Sequence, residues 1–381
     1  MRPSLRELEL NVGTLLFFLA AHSVAPYISR YAIALGAGEG EVALLGPTLS
    51  LMALALRPVS GYLAGAGFLR PLLLGGVASA MVAQVVYISS SSVAALYLGR
   101  VLQGIGVALF IPTSIYTATL VGGDREASEA LAWRATVIGF SMALGPAVGG
   151  VLVSSYGYSS LFTAALAYLS ASLALNALAS RGLRPRASRV GDGGKGILRA
   201  SFLVPLVALL SYSALYNSFS LFLPALHESL GVEVALTSLV FTSYSLANLA
   251  ARLVFTPVSS RVRPLATATL GYALALLGLY TVTSEPASQA TPALAAVTGF
   301  GAGLLIPSLQ IASILGVKPG SRGLASGVYT AMFDVGNLVG PPLAIALGVS
   351  YLKALVVAAW MGSVGLVALA TYSLKSLAKA S

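Results

Sequence analysis

Asp334 is the acidic residue that lies deepest within an apolar stretch of this sequence. It belongs to the segment YTAMFDVGNLVGPPL, residues 329–343. Burial disfavours the charged form of a carboxyl group, so such a residue can hold a proton in one state and lose it when water or a cation arrives. Asn337, three residues on, shares its face if the segment is helical. We expect Asp334 to carry a proton or meet a cationic group. The structural alternatives are a protonated, hydrogen-bonded Asp334 and a buried pair with an arginine.

Two arginines also lie within apolar stretches. Arg100 is about seven residues from the nearer end of its stretch, or roughly 10 Å deep in a helix. A charge at that depth costs a few kcal/mol unless protein or water surrounds it. Arg100 either clamps backbone carbonyls of the first apolar stretch or acts on protonation or on an anionic substrate. Arg134 either reaches back to the lipid headgroups or presents a cation to a cavity.

Neutral polar residues recur at matching positions. His22 lies near the middle of the first apolar stretch, and Asn217 lies 195 positions later in the seventh. Tyr329 stands at the same interval from Arg134. The residues expected to contact a substrate are His22, Asn217, Arg134, Gln103, Tyr329 and Asn337.

The sequence contains few groups suited to metal binding or covalent chemistry. It has no cysteine and two isolated histidines, which argues against disulfides and metal sites. It contains no GxxxxGK[ST] phosphate loop, no nucleophile–base pair and no cofactor fingerprint. We therefore expect no cofactor and no enzymatic activity.

The composition requires lipid around the segments that carry these residues. Hydrophobic residues make up 57% of the 381 and charged residues 9%, whereas a soluble domain carries roughly 25% charged residues. A membrane-spanning helix needs about 20 apolar residues. Twelve apolar stretches are of this kind and predict an all-α membrane protein with twelve transmembrane helices. The predicted spans are 10–31, 40–64, 69–90, 93–121, 127–155, 156–180, 201–226, 232–257, 263–284, 291–317, 320–348 and 350–375.

The basic residues orient these spans. With the N-terminus in the cytoplasm, most Lys and Arg residues fall in cytoplasmic segments, whereas Arg30 and Lys353 fall outside. This is the positive-inside pattern. The net charge of +10 therefore indicates orientation and contact with anionic membrane lipids, not nucleic-acid binding. We expect a monomeric, multi-pass protein of the cytoplasmic membrane with both termini in the cytoplasm.

Internal similarity predicts two halves. The pairs Arg57 and Arg252, IP at 111–112 and 306–307, and GP at 145–146 and 340–341 are each 195 positions apart. A repeated six-helix unit is typical of transporters that bind substrate between the halves. The basic, glycine-rich stretch 181–200 predicts a cytoplasmic linker. We therefore predict one six-helix bundle over 1–180 and a second, pseudo-symmetric bundle over 201–381.

Three motifs resemble those of the major facilitator superfamily. GRVLQGIGVALFIP (99–112) resembles its fourth-helix arginine motif, which includes Arg100 and Gln103. GFSMALGPAVGG (139–150) resembles the motif associated with its proton-coupled antiporters. RPVSGYLAGAGFLRP (57–71) resembles its loop motif, although Gly65 stands where the family usually has an acid that latches the cytoplasmic side. The positions to which the resemblance and the repeat assign a conformational role are Arg57, Gly61, Arg70, Gly145, Pro146, Gly149, Gly150, Gly340 and Pro341.

The resemblance implies the major facilitator fold and a secondary active transporter that moves a small organic solute by alternating access. The fifth-helix motif favours proton-coupled efflux, with Asp334 and Arg100 in proton coupling. One alternative is a proton-coupled transporter of an anionic or polar metabolite that binds at Arg100 and Arg134. Another is a non-transporting membrane receptor or lipid scramblase.

Overall fold

The computed structural model describes residues 4–37, 39–183, 199–232, 234–348 and 350–378. These residues form helices and short connections, with no strand among them. The prediction of an all-α protein is confirmed. The helices are α1 (Leu5–Val24), α2 (Ile28–Ala34), α3 (Glu39–Leu63), α4 (Leu69–Ile88), α5 (Val93–Val121), α6 (Gly123–Ala179), α7 (Ala200–Ser229), α8 (Val234–Phe255), α9 (Pro264–Ser284), α10 (Thr291–Leu315), α11 (Arg322–Gly348) and α12 (Tyr351–Ala378).

Local sequence signals explain where several helices begin. At the start of α1, Ser4 N donates to Glu7 Oε2 at 2.7 Å and Glu7 N donates to Ser4 Oγ at 3.2 Å. This reciprocal capping box satisfies two backbone N–H groups that the first turn leaves without partners. Ser92 caps α5 by accepting from Ala95 N at 3.3 Å. Helices α9 and α10 begin with a proline in the first turn, where the missing N–H costs nothing.

Two long apolar stretches are broken by glycines. In the described residues, eight stretches are long and apolar enough to cross a membrane, and two of them, Leu44–Ile88 and Ala127–Ala179, contain 45 and 53 residues. Gly67 interrupts the first with φ 115° and Gly157 the second with φ 82°. Residues other than glycine rarely adopt such left-handed backbone angles. Each stretch is long enough for two crossings, while the total of twelve stays a prediction.

The first predicted span is not one helix. Residues 25–27 form a turn between α1 and α2, so the expectation of a continuous span over 10–31 was wrong. Pro26 lies in this turn, and a proline lacks the N–H that would continue the helical hydrogen bonds. By contrast, Pro112 and Pro146 stay within α5 and α6.

The chain divides into two compact units. Unit 1 contains Met1–Gly193 and Pro319–Ala331, and unit 2 contains Gly194–Lys318 and Met332–Ser381. In unit 1, α5 packs against α3 and α4, and α6 packs against α1. Its core includes the stacked rings of Phe17 and Phe110, whose centroids are 3.9 Å apart. In unit 2, α10 packs against α8 and α9, and α12 packs against α7. Most of the predicted linker, residues 184–198, lies outside the described residues.

The 195-residue repeat reappears in the packing within each unit. A methyl group on Gly76 of α4 would lie 2.7 Å from Phe110 N of α5. A methyl group on Gly271 of α9 would lie 2.7 Å from Leu305 N of α10. Both residues of the second pair are 195 positions after those of the first. The repeated glycines therefore let two pairs of helices approach equally closely. The layout of two pseudo-symmetric six-helix bundles stays a prediction.

Candidate functional site

The glycine motif of α6 faces α1. A methyl group added to Gly145 would lie 2.7 Å from His22 Cβ, and one added to Gly149 would lie 2.8 Å from Tyr27 Cε2. Tyr27 Oη donates a hydrogen bond to Pro146 O at 2.8 Å. Small residues allow the backbones of two membrane helices to approach this closely. Such packing holds the helices together in lipid, where the hydrophobic effect does not. The motif therefore forms a tight contact between the two helices at the height of His22.

His22 joins this contact through α6. Its Nδ1 lies 3.0 Å from Ser141 Oγ, and Ser141 Oγ donates its own proton to Ile138 O at 2.7 Å. A hydroxyl group has one proton, so this network assigns the donor role to His22 Nδ1. The half-buried imidazole also stacks on Phe18, with ring centroids 5.7 Å apart.

Arg134 of α6 points into unit 1 and is 2% exposed. Its Nε donates to Ser114 Oγ at 3.1 Å, and its Nη2 donates to the same oxygen at 2.7 Å. Nη2 also lies 3.4 Å from Ile111 O, and the guanidinium carbon lies 6.0 Å from the centre of the Phe18 ring. The side chain therefore does not reach back to the headgroups, and that alternative was wrong.

Arg100 belongs to a second buried cluster. Its Nε donates to Leu45 O at 3.2 Å and its Nη1 donates to Gln103 Oε1 at 2.9 Å. Gln103 Oε1 also accepts from Tyr87 Oη at 3.1 Å. Leu45 lies in α3, so the clamp expected on the first span is instead made to the second.

A small cavity adjoins this cluster. It has a volume of about 10 Å³ and Gln84 and Gln103 are its polar lining residues. Gln84 Oε1 is buried and accepts no hydrogen bond from the described residues. The volume is close to the minimum for one water molecule, which would have polar partners on two sides.

The loop motif of unit 1 packs against the beginning of α11. Arg57 Nη1 donates to Thr330 O at 2.6 Å. A methyl group on Gly61 would lie 2.8 Å from Gly327 N, and one on Gly323 would lie 2.7 Å from Gly65 N. The backbone at Gly65, the position of the missing acid, thus takes part in a close glycine contact. Arg70 is exposed.

Asp334 lies in unit 2 and is 7% exposed. Its helix is attached to α7 one residue earlier, where Phe333 O accepts from Ser213 Oγ at 2.8 Å. Asn217, one turn further along α7, donates from Nδ2 to Ser213 O at 2.8 Å. Asn337 is exposed whereas Asp334 is buried. Because α11 is helical through both positions, their side chains are about 60° apart and lie on the same side of the helix.

The two glycines that follow Asp334 hold α11 close to α7. A methyl group on Gly336 would lie 2.5 Å from Ser213 Cβ, and one on Gly340 would lie 2.5 Å from Ala214 Cα. Asp334 therefore lies beside a close helix contact of unit 2. Pro341 is buried in the same helix.

Tyr329 is 1% exposed and belongs to the part of α11 that lies in unit 1.

The sequence matches the profile of the Major Facilitator Superfamily over residues 10–230 and again over residues 205–379. The chain belongs to the Major Facilitator Superfamily. The uncharacterized MFS-type transporter YhhS of Salmonella enteritidis PT4 is 27% identical over 254 residues, which cover 66% of this chain and 60% of that protein. The lincomycin resistance protein LmrB of Listeria monocytogenes is 28% identical over 114 residues, which cover 30% of this chain and 24% of that protein.

A solved transporter structure shares the fold. A bacterial homologue of the iron transporter ferroportin matches with a TM-score of 0.81 and 14% identity over 98% of this chain and 100% of that chain. The chain spans 60% of the length of its relative YhhS. The match to the superfamily profile confirms the family membership that the three motifs predicted.

Several residues of these clusters were not predicted for this superfamily member. Phe18 and Ser114 contact Arg134, Tyr87 binds Gln103, and Ser141 binds His22. Serines and aromatic residues are frequent along apolar helices, and no spacing sets these four apart. The arginines were the usable signal, because a buried guanidinium requires acceptors nearby.

Proposed function

We propose that this member of the superfamily is a secondary active transporter that exports a small organic solute by alternating access in exchange for protons. The observation that carries the proposal is the burial of Asp334 in α11, where it is 7% exposed. A carboxyl group in such a place changes charge when water reaches it. Its attachment to α7 through Ser213 and Phe333 couples that change to the contact between two helices.

The contact of α6 with α1 supports a moving element in unit 1. Gly145 and Gly149 permit close approach, and they do so beside His22 and Tyr27. A contact of small residues can tighten or slide without displacing large side chains. His22 and Asn217 are expected to contact the solute, and Arg100, with Gln103, is expected to support coupling. The likeness of one segment to a lincomycin resistance protein supports export over uptake. No observation on the described residues favours a receptor or a scramblase.

Proteoliposomes test the proposal. The purified protein is reconstituted with a trapped pH-sensitive dye, and ethidium, lincomycin or hippurate is added under an imposed pH gradient. We expect at least one solute to drive proton movement with the wild-type protein. Asp334→Asn, which keeps the shape but cannot release a proton at this position, is expected to abolish it.

The control is Glu285→Gln, which removes an exposed acid that lies outside the helices. It should transport at the wild-type rate. Equal proton flux from Asp334→Asn and the wild type would reject Asp334 as the proton carrier. Solute uptake that ignores the pH gradient would reject proton coupling.

A further inference from the structure

Arg134 is a deeply buried cation whose contacts in the described part of the chain are all neutral. The guanidinium contacts Ser114 Oγ, Ile111 O and the ring of Phe18. No described acidic side chain pairs with it. Burying an ion without a counter-ion costs several kcal/mol even after the protein relaxes. The protein keeps this cation at 2% exposure, so an anion that binds there would supply the missing counter-charge.

The hydrogen bonds leave one side of the guanidinium available. A guanidinium has five N–H donors, and the contacts to Ser114 and Ile111 occupy Nε and Nη2. Nη1 makes no hydrogen bond with the described residues. Ser114 Oγ donates its own proton to Ile111 O at 2.9 Å, so its lone pairs stay directed at Arg134. The side chain is thus held on one edge, and Nη1 is the donor left for a ligand.

Aromatic rings continue from the guanidinium. Phe18 lies 6.0 Å from it, and His22 stacks on Phe18 with centroids 5.7 Å apart. Aromatic rings pack on one another, so a ligand that carries a ring beside its charged group could contact Phe18 and His22 as well as the guanidinium.

We infer that Arg134 anchors the solute, and that the solute is a small organic anion with an aromatic body. Its carboxylate binds Nη1, and its ring packs beside Phe18 and His22. The site is closed at 2% exposure, so the anion enters when α1 and α6 separate along the glycine contact. This inference rests on the proposed function and names its substrate class, which excludes cations and neutral analogues of the same shape.

Binding to the purified protein in detergent micelles tests the inference without any gradient. The probes are hippurate, its neutral amide hippuramide, the ringless anion N-acetylglycinate, and benzyltrimethylammonium. We expect hippurate alone to bind strongly and to raise the unfolding temperature. Arg134→Gln should weaken the binding of hippurate at least about tenfold, which corresponds to the loss of one hydrogen bond to a charged group. Phe18→Leu should weaken the binding of hippurate and leave the affinity for N-acetylglycinate unchanged.

Controls separate binding from folding and charge. Arg181→Gln removes an exposed arginine and should bind hippurate like the wild type. Without ligand, the unfolding temperature of Arg134→Gln should be at least that of the wild type, because the substitution removes a buried charge that has no acidic partner among the described residues. If Arg134→Gln does not fold, Arg134→Lys and Phe18→Leu decide the question, and both must weaken hippurate.

Three results would overturn the inference: no hippurate binding to the wild type, equal binding of hippuramide, or unchanged binding in the Arg134 variant. Its failure is distinguishable from that of the proposed function. Hippurate bound at Arg134 without proton-linked flux of any solute contradicts only the transporter mechanism. Proton-linked ethidium export with hippurate binding independent of Arg134 contradicts only the anion site.

Discussion

Gly145 offers a quantitative test of the contact between α6 and α1. An added methyl group would lie 2.7 Å from His22 Cβ, 2.8 Å from the His22 carbonyl carbon and 3.0 Å from Ser23 N. Two of these three atoms belong to the backbone, so a side-chain rotation cannot relieve the overlap and α1 has to move. Overpacking of this kind costs about 1–3 kcal/mol. Alanine in place of glycine also stabilises a helix by up to about 1 kcal/mol, which partly hides the cost.

Gly75→Ala supplies the matched control. Gly75 lies within α4, and a methyl group there meets no atom within 4 Å. The helical contribution is common to both variants, so the difference between them isolates the contact. We expect Gly145→Ala to have a free energy of unfolding about 1–3 kcal/mol below that of Gly75→Ala.

Unfolding of the purified variants by SDS in mixed micelles, followed by circular dichroism, measures this difference. In proteoliposomes, Gly145→Ala should also transport more slowly than Gly75→Ala, because the same contact has to open and close. A difference in stability below about 0.5 kcal/mol, the usual error of additivity, would refute the close approach of α6 to α1.

Two further substitutions test other contacts with the same titration. Gln103→Leu leaves Arg100 Nη1 and Tyr87 Oη without their shared acceptor, so we expect a loss of about 2–4 kcal/mol, whereas Tyr87→Phe removes a donor together with its bond and should cost less than about 1.5 kcal/mol. A smaller loss for Gln103→Leu than for Tyr87→Phe would contradict the shared acceptor. Gly157→Ala forces a side chain onto a residue with φ 82° and ψ 177°, so we expect a loss of about 1–3 kcal/mol. A Gly157→Ala variant as stable as Gly75→Ala would show that the break between the two parts of α6 tolerates other residues.

The helices were predictable because each depends on its own residues. The prediction of 93–121 agrees with α5, Val93–Val121, and that of 263–284 differs from α9, Pro264–Ser284, by one residue. Apolar runs bounded by polar residues and prolines suffice for this. The turn at 25–27 was missed because proline is an ambiguous signal in membrane helices. Pro26 lies in a break, whereas Pro112 lies within α5.

The site was predictable only as a set of residue types. An arginine or aspartate within an apolar run is easy to recognise in a sequence, and Arg100, Arg134 and Asp334 are all buried. Their partners do not follow from spacing. Arg100 binds α3 where the first span was expected, and Asn337 is exposed although it lies three residues from Asp334.

By itself, the sequence determined that this chain is helical, belongs in lipid and repeats an arginine, an IP pair and a GP pair after 195 residues. These properties are local or periodic, and a single chain displays them directly. Only the tertiary structure decided that Ser114 holds Arg134 and that Ser141 holds His22. Such pairs join residues that are 20 and 119 positions apart. Their distance depends on how the helices pack, because hydrogen bonds act over about 3 Å while a rotation of one helix moves its side chains by more than that.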